Sequence, residues 1–295
     1  MICAYCGKDG KGTKEHIISN GVLKLFPECS LTIDSDRNRI HQGDPMIKDV
    51  CANCNNIKLP YIDSYAKNLI EKYFMVKYAE DETLVFDYNY TMIQKMCLKF
   101  AFNDLRSRKK DISFFDDKIK HFLLHEEEQQ PIKNMTILAG LAVNTSSIFD
   151  KMLLNRKIRW GDSPILLSNS IVENYDYATG QLILREQLDR EELKDCVLSF
   201  VFRFNSLQLL MLCWNREIDD ELLEKNNKIL NFKYPYNILN NSGEIVLLRC
   251  TSAITYHLER LIDVTWGQAP IDCQSNISSN ISEFIQKYDS KYQQK

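Results

Sequence analysis

The sequence lacks any apolar run near the roughly 20 residues that a helix needs to cross a bilayer. Its N-terminus, MICAYCGKDG, has no basic region followed by an apolar one. We therefore expect no transmembrane segment, no signal peptide and a cytoplasmic location. The chain also lacks an excess of charge, because 37 Lys and Arg stand against 40 Asp and Glu, a net charge of -3. Overall charge gives no sign of a nucleic-acid partner, so any contact with DNA must be a local patch.

Glycine is scarce, with 10 in 295 residues, and it is unevenly placed. Half of the glycines fall in the first 45 residues, namely Gly7, Gly10, Gly12, Gly21 and Gly43. That density predicts a small module made mostly of turns over residues 1 to about 60. The length is sufficient for about two domains, and the sequence contains no internal repeat.

Apolar residues at a helical period predict helices over residues 61–78, 91–106 and 111–128. Thr91 and Asp111 are candidate N-caps for the second and third of these. The later sequence is instead typical of strands, at 135–143, 163–177, 181–186, 196–204 and 207–214, with candidate hairpin turns at Gly180 and at Asn205-Ser206. Helical patterns return at 217–230 and 251–264.

These patterns predict an α+β fold. We expect a metal-stapled module at residues 1–75, then a helical segment and a larger mixed α/β domain at 76–270. A polar tail follows at 271–295.

Four of the ten cysteines form two C-x2-C pairs, Cys3 with Cys6 and Cys51 with Cys54. In a reducing compartment such pairs are more typical of metal ligands than of disulfides. Two pairs together match tetrahedral zinc. The alternative is that the pairs are unrelated or form disulfides. The other cysteines lie apart, several in apolar surroundings, and are expected to be buried hydrophobes.

Glu15 and His16 stand between the two cysteine pairs, and Asn55 follows Cys54 directly. Carboxylate and amide oxygens are hard ligands that suit Mg²⁺ or Mn²⁺ better than zinc. An imidazole can accept a proton from water near neutral pH, so His16 would act as a base. The alternative is that these are three unrelated polar loop residues.

The stretches CAYCG, TKEHIIS and DVCANCNNIK, in that order, resemble the HNH endonucleases, the ββα-metal class with zinc-binding knuckles. The resemblance covers roughly residues 1–65. It implies that Cys3, Cys6, Cys51 and Cys54 hold a structural zinc ion. It also implies that Glu15 and Asn55 bind a catalytic Mg²⁺ or Mn²⁺ ion, and that His16 is the general base.

The sequence departs from the commoner DHI.P form of the motif, with Glu15 in place of Asp and Ser19 in place of Pro. The residue that would orient His16 is not obvious, and Asn38 and Asp49 are candidates. Lys58, close to Asn55, is a candidate phosphate contact.

The resemblance implies a metal-dependent endonuclease that hydrolyses DNA phosphodiester bonds. Residues beyond 75 would choose the target or a partner protein. The architecture suggests restriction or antiviral defence with a protein partner such as a defence-system ATPase. The alternative is a non-catalytic zinc-finger-like module that binds nucleic acid or protein. The sequence leaves open DNA against RNA as substrate, and the oligomeric state.

Overall fold

The computed structural model describes residues 1–26, 32–34, 39–41, 46–76, 78, 82–141, 165–168, 195–233 and 236–247. The first elements in chain order are β1 (Gly12–His16), α1 (Asn20–Leu23), β2 (Thr32–Asp34), β3 (Arg39–His41) and β4 (Met46–Cys51). A π-helical turn, Cys54–Lys58, leads into α2 (Pro60–Tyr73). Then come β5 (Leu84–Tyr88), α3 (Tyr90–Ser107), α4 (Asp117–Leu124), β6 (Met135–Leu141), β7 (Ile165–Ser168), β8 (Cys196–Phe204), β9 (Leu207–Trp214), α5 (Asp220–Lys233), β10 (Asn237–Leu239) and β11 (Gly243–Leu247).

All described strand pairs are antiparallel. The largest sheet has five strands in the order β10-β6-β9-β8-β7, and three two-stranded sheets pair β1 with β4, β2 with β3, and β5 with β11. The architecture is therefore mixed α/β, with small sheets and several helices.

Helix α3 lies at the centre of the molecule, with all but its last two residues buried. Asn89 caps its start by accepting a hydrogen bond from the Met92 amide at 3.0 Å. The Phe102 ring packs edge-on against Tyr5, 5.0 Å between centroids. The Phe100 ring lies 6.2 Å from that of Phe204 in β8. Helix α3 therefore packs between residues 1–65, which we call the cysteine-bearing segment, and the five-stranded sheet.

The five-stranded sheet is covered on both faces. Alternate residues of β9, such as Leu209 and Met211, belong to the core shared with α3. The intervening Leu210 and Leu212 pack with Leu230 of α5 in a second core. Two buried faces explain why β8 and β9 are apolar almost throughout rather than alternating with polar residues.

The turn between β8 and β9 closes the end of α2. Asn205 has a positive φ of 51°, and its Nδ2 donates to the Phe74 carbonyl at 2.6 Å. The Ser206 hydroxyl donates to the same oxygen at 2.9 Å. The expected hairpin turn at Asn205-Ser206 is confirmed, and it supplies partners for backbone groups at the helix end.

Two expectations about helix starts are wrong. Asn89, not Thr91, caps α3, because the Thr91 hydroxyl instead donates to the Gln129 carbonyl at 3.0 Å. The third helix begins at Asp117 rather than near 111, with Asp116 as its cap. The Asp111 carboxylate instead accepts hydrogen bonds from the amide and hydroxyl of Ser113, which holds that segment in a turn.

One buried core contains side chains from both sides of residue 75, from Cys3 to Leu247. The domain boundaries placed at 75 and 270 stay a prediction. The expected strand at 181–186, the helix at 251–264, the Gly180 turn and the tail lie outside the described residues. Within the described ranges, no helix is both long enough and apolar enough to span a bilayer.

Candidate metal centre and its surroundings

The thiols of Cys3, Cys6, Cys51 and Cys54 converge, with all four sulfur atoms within 4.8 Å of one another. The sulfurs of Cys6 and Cys51 are 3.8 Å apart, and all four cysteines are free. A zinc ion with Zn–S bonds of about 2.3 Å places its sulfurs about 3.8 Å apart in a tetrahedron. A disulfide would require about 2.0 Å. The sulfur positions therefore fit a four-coordinate metal site.

Local backbone geometry forms the first knuckle. Gly7 adopts a positive φ of 67°, and its amide donates to the Cys3 carbonyl at 2.9 Å, which closes the turn around the first pair. The Cys51 amide donates to Cys3 Sγ at 3.3 Å and connects the two knuckles.

The thiols differ in how readily they ionise. Burial opposes ionisation of Cys3, but amide donors from Cys51, Cys6 and Tyr5 outweigh it and lower its pKa to about 7. Burial raises the pKa of Cys54 and, to a smaller degree, that of Cys6. Thiolate is the form that binds metal, and a bound cation would favour it at all of these sulfurs.

Strand β1 carries two of the remaining candidate residues and pairs with β4, which ends at Cys51. Glu15 and His16 end β1, where they pair with Ile47 and Met46 of β4, after a register shift between Thr13 and Glu15. Glu15 is buried and His16 is half-buried. Strand β4 ends at Cys51, and Cys54 begins the π-helical turn that leads into α2.

Asn55, the first residue after the last cysteine, contacts β1 directly. Its Nδ2 donates to the Lys14 carbonyl at 3.0 Å and to the Thr13 hydroxyl at 2.9 Å. A carbonyl only accepts, so this contact fixes which side of the amide carries the nitrogen. Asn55 Oδ1 has no hydrogen-bond partner among the described residues.

The Glu15 carboxylate is held from α3. Lys99 Nζ lies 2.9 Å from Glu15 Oε1, and Asn103 Nδ2 donates to the same oxygen at 3.3 Å. Lys99 is fully buried and also donates to Asp63 Oδ1 at 2.5 Å. Within the described part of the chain, Glu15 Oε2 has no such partner. Burial raises the pKa of Asp63, and Glu15 adds to the rise, although Lys99 opposes it.

The backbone beside His16 is held by the same helix. Asn103 Nδ2 donates to the His16 carbonyl at 3.0 Å, while its Oδ1 accepts from the Tyr5 hydroxyl at 2.8 Å. The His16 ring has no hydrogen-bond partner in the described ranges. A positive charge on this ring would lower the pKa of the Asp63 carboxyl, against the larger effect of burial.

Asp49 and Asn38 are the two candidates for orienting the His16 ring. The Asp49 carboxylate accepts from Arg106, and the Asn38 side chain lies outside the described residues. Lys58 ends the π-helical turn and is partly exposed, and its ammonium makes no hydrogen bond or ion pair with the described residues.

Sequence reasoning missed Asp63, Lys99, Asn103 and Arg106 as neighbours of the candidate residues. A signal was present, because Lys99, Asn103 and Arg106 recur at helical spacing within an otherwise strongly apolar segment. Polar side chains in such a segment need buried partners, and the partners here lie in the first 65 residues.

Among the described residues, the four thiols are the one group of three or more His, Cys, Asp or Glu whose ligand atoms converge. Glu15 Oε2 and Asn55 Oδ1 are two hard oxygen atoms that have no protein partners among these residues.

No family model matches the sequence, and neither a curated protein nor a solved structure matches the chain. The four-cysteine cluster able to hold a metal ion is therefore the feature that the structure supports directly.

Proposed function

We propose that this chain is a metal-dependent endonuclease of the HNH type that hydrolyses phosphodiester bonds in DNA. The contact between the Asn55 amide and the Lys14 carbonyl carries this proposal. It brings the position after the last cysteine next to the Glu15-His16 pair, although 40 residues separate them in sequence. A module that only bound zinc would have no need for a carboxylate, an imidazole and an amide at these three positions.

In this proposal His16 is the general base that takes a proton from the attacking water. Its half-buried ring, without a protein hydrogen bond in the described ranges, leaves a nitrogen for that water. Glu15 Oε2 and Asn55 Oδ1 would hold Mg²⁺ or Mn²⁺. When bound, such an ion stabilises negative charge on the phosphate and on the leaving 3′ oxygen.

The surface beside these residues suits a phosphate backbone. Lys8, Lys11 and Lys14 are exposed and precede or lie on β1, and Lys58 is partly exposed near Asn55. These lysines supply a local basic patch on a chain whose net charge is slightly negative. Restriction or antiviral defence, with a partner protein such as an ATPase, is the setting that we propose for this activity.

A second function is favoured by one observation. Glu15 Oε1 already has two polar partners, Lys99 and Asn103, which would also be expected of a purely structural carboxylate. The alternative is therefore a non-catalytic zinc-binding module that recognises nucleic acid or protein. In that case Glu15, His16 and Asn55 share no cation.

The test is cleavage of supercoiled plasmid by the full chain with Mg²⁺ or Mn²⁺. His16→Ala is compared with wild type and with His121→Ala, which removes an exposed histidine of α4 far along the chain. Loss of a general base lowers the rate about 100-fold or more. We expect that loss for His16→Ala alone, with zinc content equal in all three proteins.

Equal nicking by wild type and His16→Ala would remove the proposed role of the histidine. If wild type cleaves neither DNA nor RNA with either ion, yet keeps its zinc and binds a plasmid, the non-catalytic alternative is the better description.

A further inference from the structure

Helix α3 presents a row of polar side chains to the cysteine-bearing segment. Lys99, Asn103 and Arg106 stand at helical spacing on a helix that is otherwise packed in the apolar core. Arg106 pairs with Asp49 of β4 and also donates to Asn103 Oδ1 at 2.5 Å. Burial of a polar group costs free energy unless the group is paired. The partners of these three side chains therefore indicate their role.

Lys99 is the charged member of this row that contacts the candidate cation ligand, Glu15. Its ammonium is completely buried and lies between two carboxylates, 2.9 Å from Glu15 Oε1 and 2.5 Å from Asp63 Oδ1. With both carboxylates ionised, one positive charge faces two negative charges. Together the three side chains keep a net negative charge, which attracts a divalent cation. The attraction is weaker than that of two carboxylates without the lysine.

The position of the ammonium also decides how Glu15 can bind. Oε1 is used by Lys99 and by Asn103 Nδ2, and a bidentate carboxylate would require that oxygen. Oε2 alone is left for a cation among the described contacts. A carboxylate fixed at one oxygen has little freedom to rotate, so a cation on Oε2 would keep one position relative to His16.

We propose that Lys99 is a positioning residue of this site, which makes Glu15 a one-oxygen ligand and, with Asp63, sets the charge that the cation meets. This inference rests on the proposed function for its meaning in catalysis. It also implies that residues 1–75 do not form a complete site, because α3 supplies the residue that orients the ligand.

The inference predicts opposite effects of one substitution on binding and on turnover. In Lys99→Met a positive charge close to the cation is lost, so Mn²⁺ binding becomes about tenfold tighter or more. Glu15 is then free to bind in other geometries, so the maximal cleavage rate falls about tenfold or more. A merely structural lysine would instead lower the folded fraction and leave the affinity for Mn²⁺ unchanged.

The chain offers a matched control in Lys95, a second fully buried lysine of α3, one helical turn earlier. Its Nζ donates to the His125 carbonyl at 2.7 Å and lies 4.8 Å from the centre of the Phe122 ring, away from Glu15. Lys95→Met therefore tests the same chemical change in the same helix. We expect it to leave Mn²⁺ affinity and maximal rate, corrected for folded protein, at wild-type values.

A double variant separates charge balance from positioning. Lys99→Met combined with Asp63→Asn removes one positive and one negative charge together, so it is expected to fold if Lys99→Met alone does not. If Lys99 positions Glu15, the double variant still has a maximal rate reduced about tenfold. Recovery of the wild-type rate would mean that Lys99 serves only to balance Asp63, and the inference would fail.

The experiment measures free Mn²⁺ by electron paramagnetic resonance during titration of the full chain, with Glu15→Gln to identify the site, and plasmid cleavage at increasing Mn²⁺. Equal or weaker Mn²⁺ binding in Lys99→Met, or no Glu15-dependent binding in wild type, overturns the inference. If wild type binds Mn²⁺ at Glu15 but cleaves nothing, the proposed function fails, and the change in affinity still decides the role of Lys99.

Discussion

The side-chain amide of Asn55 donates to the backbone carbonyl of Lys14, 3.0 Å away and 41 positions earlier in the chain. This contact joins the residue after the last cysteine to the strand that ends in Glu15 and His16. It also orients the amide so that Oδ1 is the atom without a hydrogen-bond partner among the described residues. The first prediction follows from that orientation.

Asn55→Ala should separate activity from folding. The substitution removes the candidate ligand oxygen, so we expect the Mn²⁺-dependent cleavage rate to fall about 100-fold. The Lys14 carbonyl is at the surface and can bond to water instead, so the free energy of unfolding should fall by less than about 1 kcal/mol. Plasmid cleavage and chemical denaturation measure the two quantities.

Asn56→Ala is the matched control for Asn55→Ala, because Asn56 is exposed and belongs to the same π-helical turn. It should keep both the wild-type rate and the wild-type stability. A rate that falls equally in the two variants would contradict the assignment of Asn55 as a ligand.

Removal of metal should unfold the N-terminal part of the molecule. The four thiols lie at the junction of the first turn, β4 and the segment leading to α2, and structural zinc contributes directly to folding. We expect one zinc ion per chain by atomic emission spectrometry, loss of that zinc in Cys51→Ser, and a lower melting temperature for that variant and for wild type treated with a chelator.

Cys97→Ala provides the comparison for Cys51→Ser. Cys97 is buried in α3, away from the cluster, so this variant should keep its zinc and lose only the roughly 1 kcal/mol typical of a small cavity. Equal zinc content in Cys51→Ser and wild type would rule out the four-thiol centre.

Sequence patterns predicted the parts of the fold that are set by local periodicity. Strands β8 and β9 occur at the expected residues, and α2 and α3 begin within one residue of theirs. The thiol cluster was also expected, because C-x2-C spacing brings two sulfurs together within one turn. These features depend on neighbours in sequence, which a reading of periodicity and spacing can detect.

Lys99 and Asn103 could not be placed in the same way. The contact between Asn103 and Glu15 joins residues 88 positions apart, and no local pattern specifies which buried polar groups will meet. The start of α4 was misplaced for a related reason, since Asp111 and Asp116 are both suitable caps. Tertiary packing of the intervening turn decides between them.

Asn103 should prove more important for stability than its size suggests. Its side chain accepts from the buried Tyr5 hydroxyl and donates to the part-buried His16 carbonyl, so Asn103→Leu removes a hydrogen-bond partner from each of these groups. We expect the free energy of unfolding to fall by about 2–4 kcal/mol in chemical denaturation. Tyr5→Phe, which removes only one hydroxyl, should cost about 1 kcal/mol.

The double variant of Asn103→Leu with Tyr5→Phe tests whether the two side chains act together. Because the second substitution removes a group that the first has already left unpaired, the combined loss should be smaller than the sum by about 0.5–2 kcal/mol. Simple additivity would show that the hydrogen bond contributes nothing to stability.

Gly12 is the residue that sets the close approach of β1 to β4. A Cβ atom added there would lie 2.5 Å from the Lys48 carbonyl oxygen and 2.7 Å from the Met1 sulfur. The backbone oxygen cannot move without disturbing the β1–β4 pairing that positions Glu15 and His16. Gly12→Ala should therefore lower the free energy of unfolding by about 1–3 kcal/mol and reduce the cleavage rate at saturating Mn²⁺.

Gly10→Ala is the control for Gly12→Ala. A Cβ at Gly10 would meet only the Cys51 Cβ, at 3.7 Å, which is an ordinary contact. Gly10→Ala should therefore change the free energy of unfolding by less than about 0.5 kcal/mol. Denaturation curves that place the two alanine variants at the same midpoint would show that the strand pair tolerates a wider separation than the backbone geometry implies.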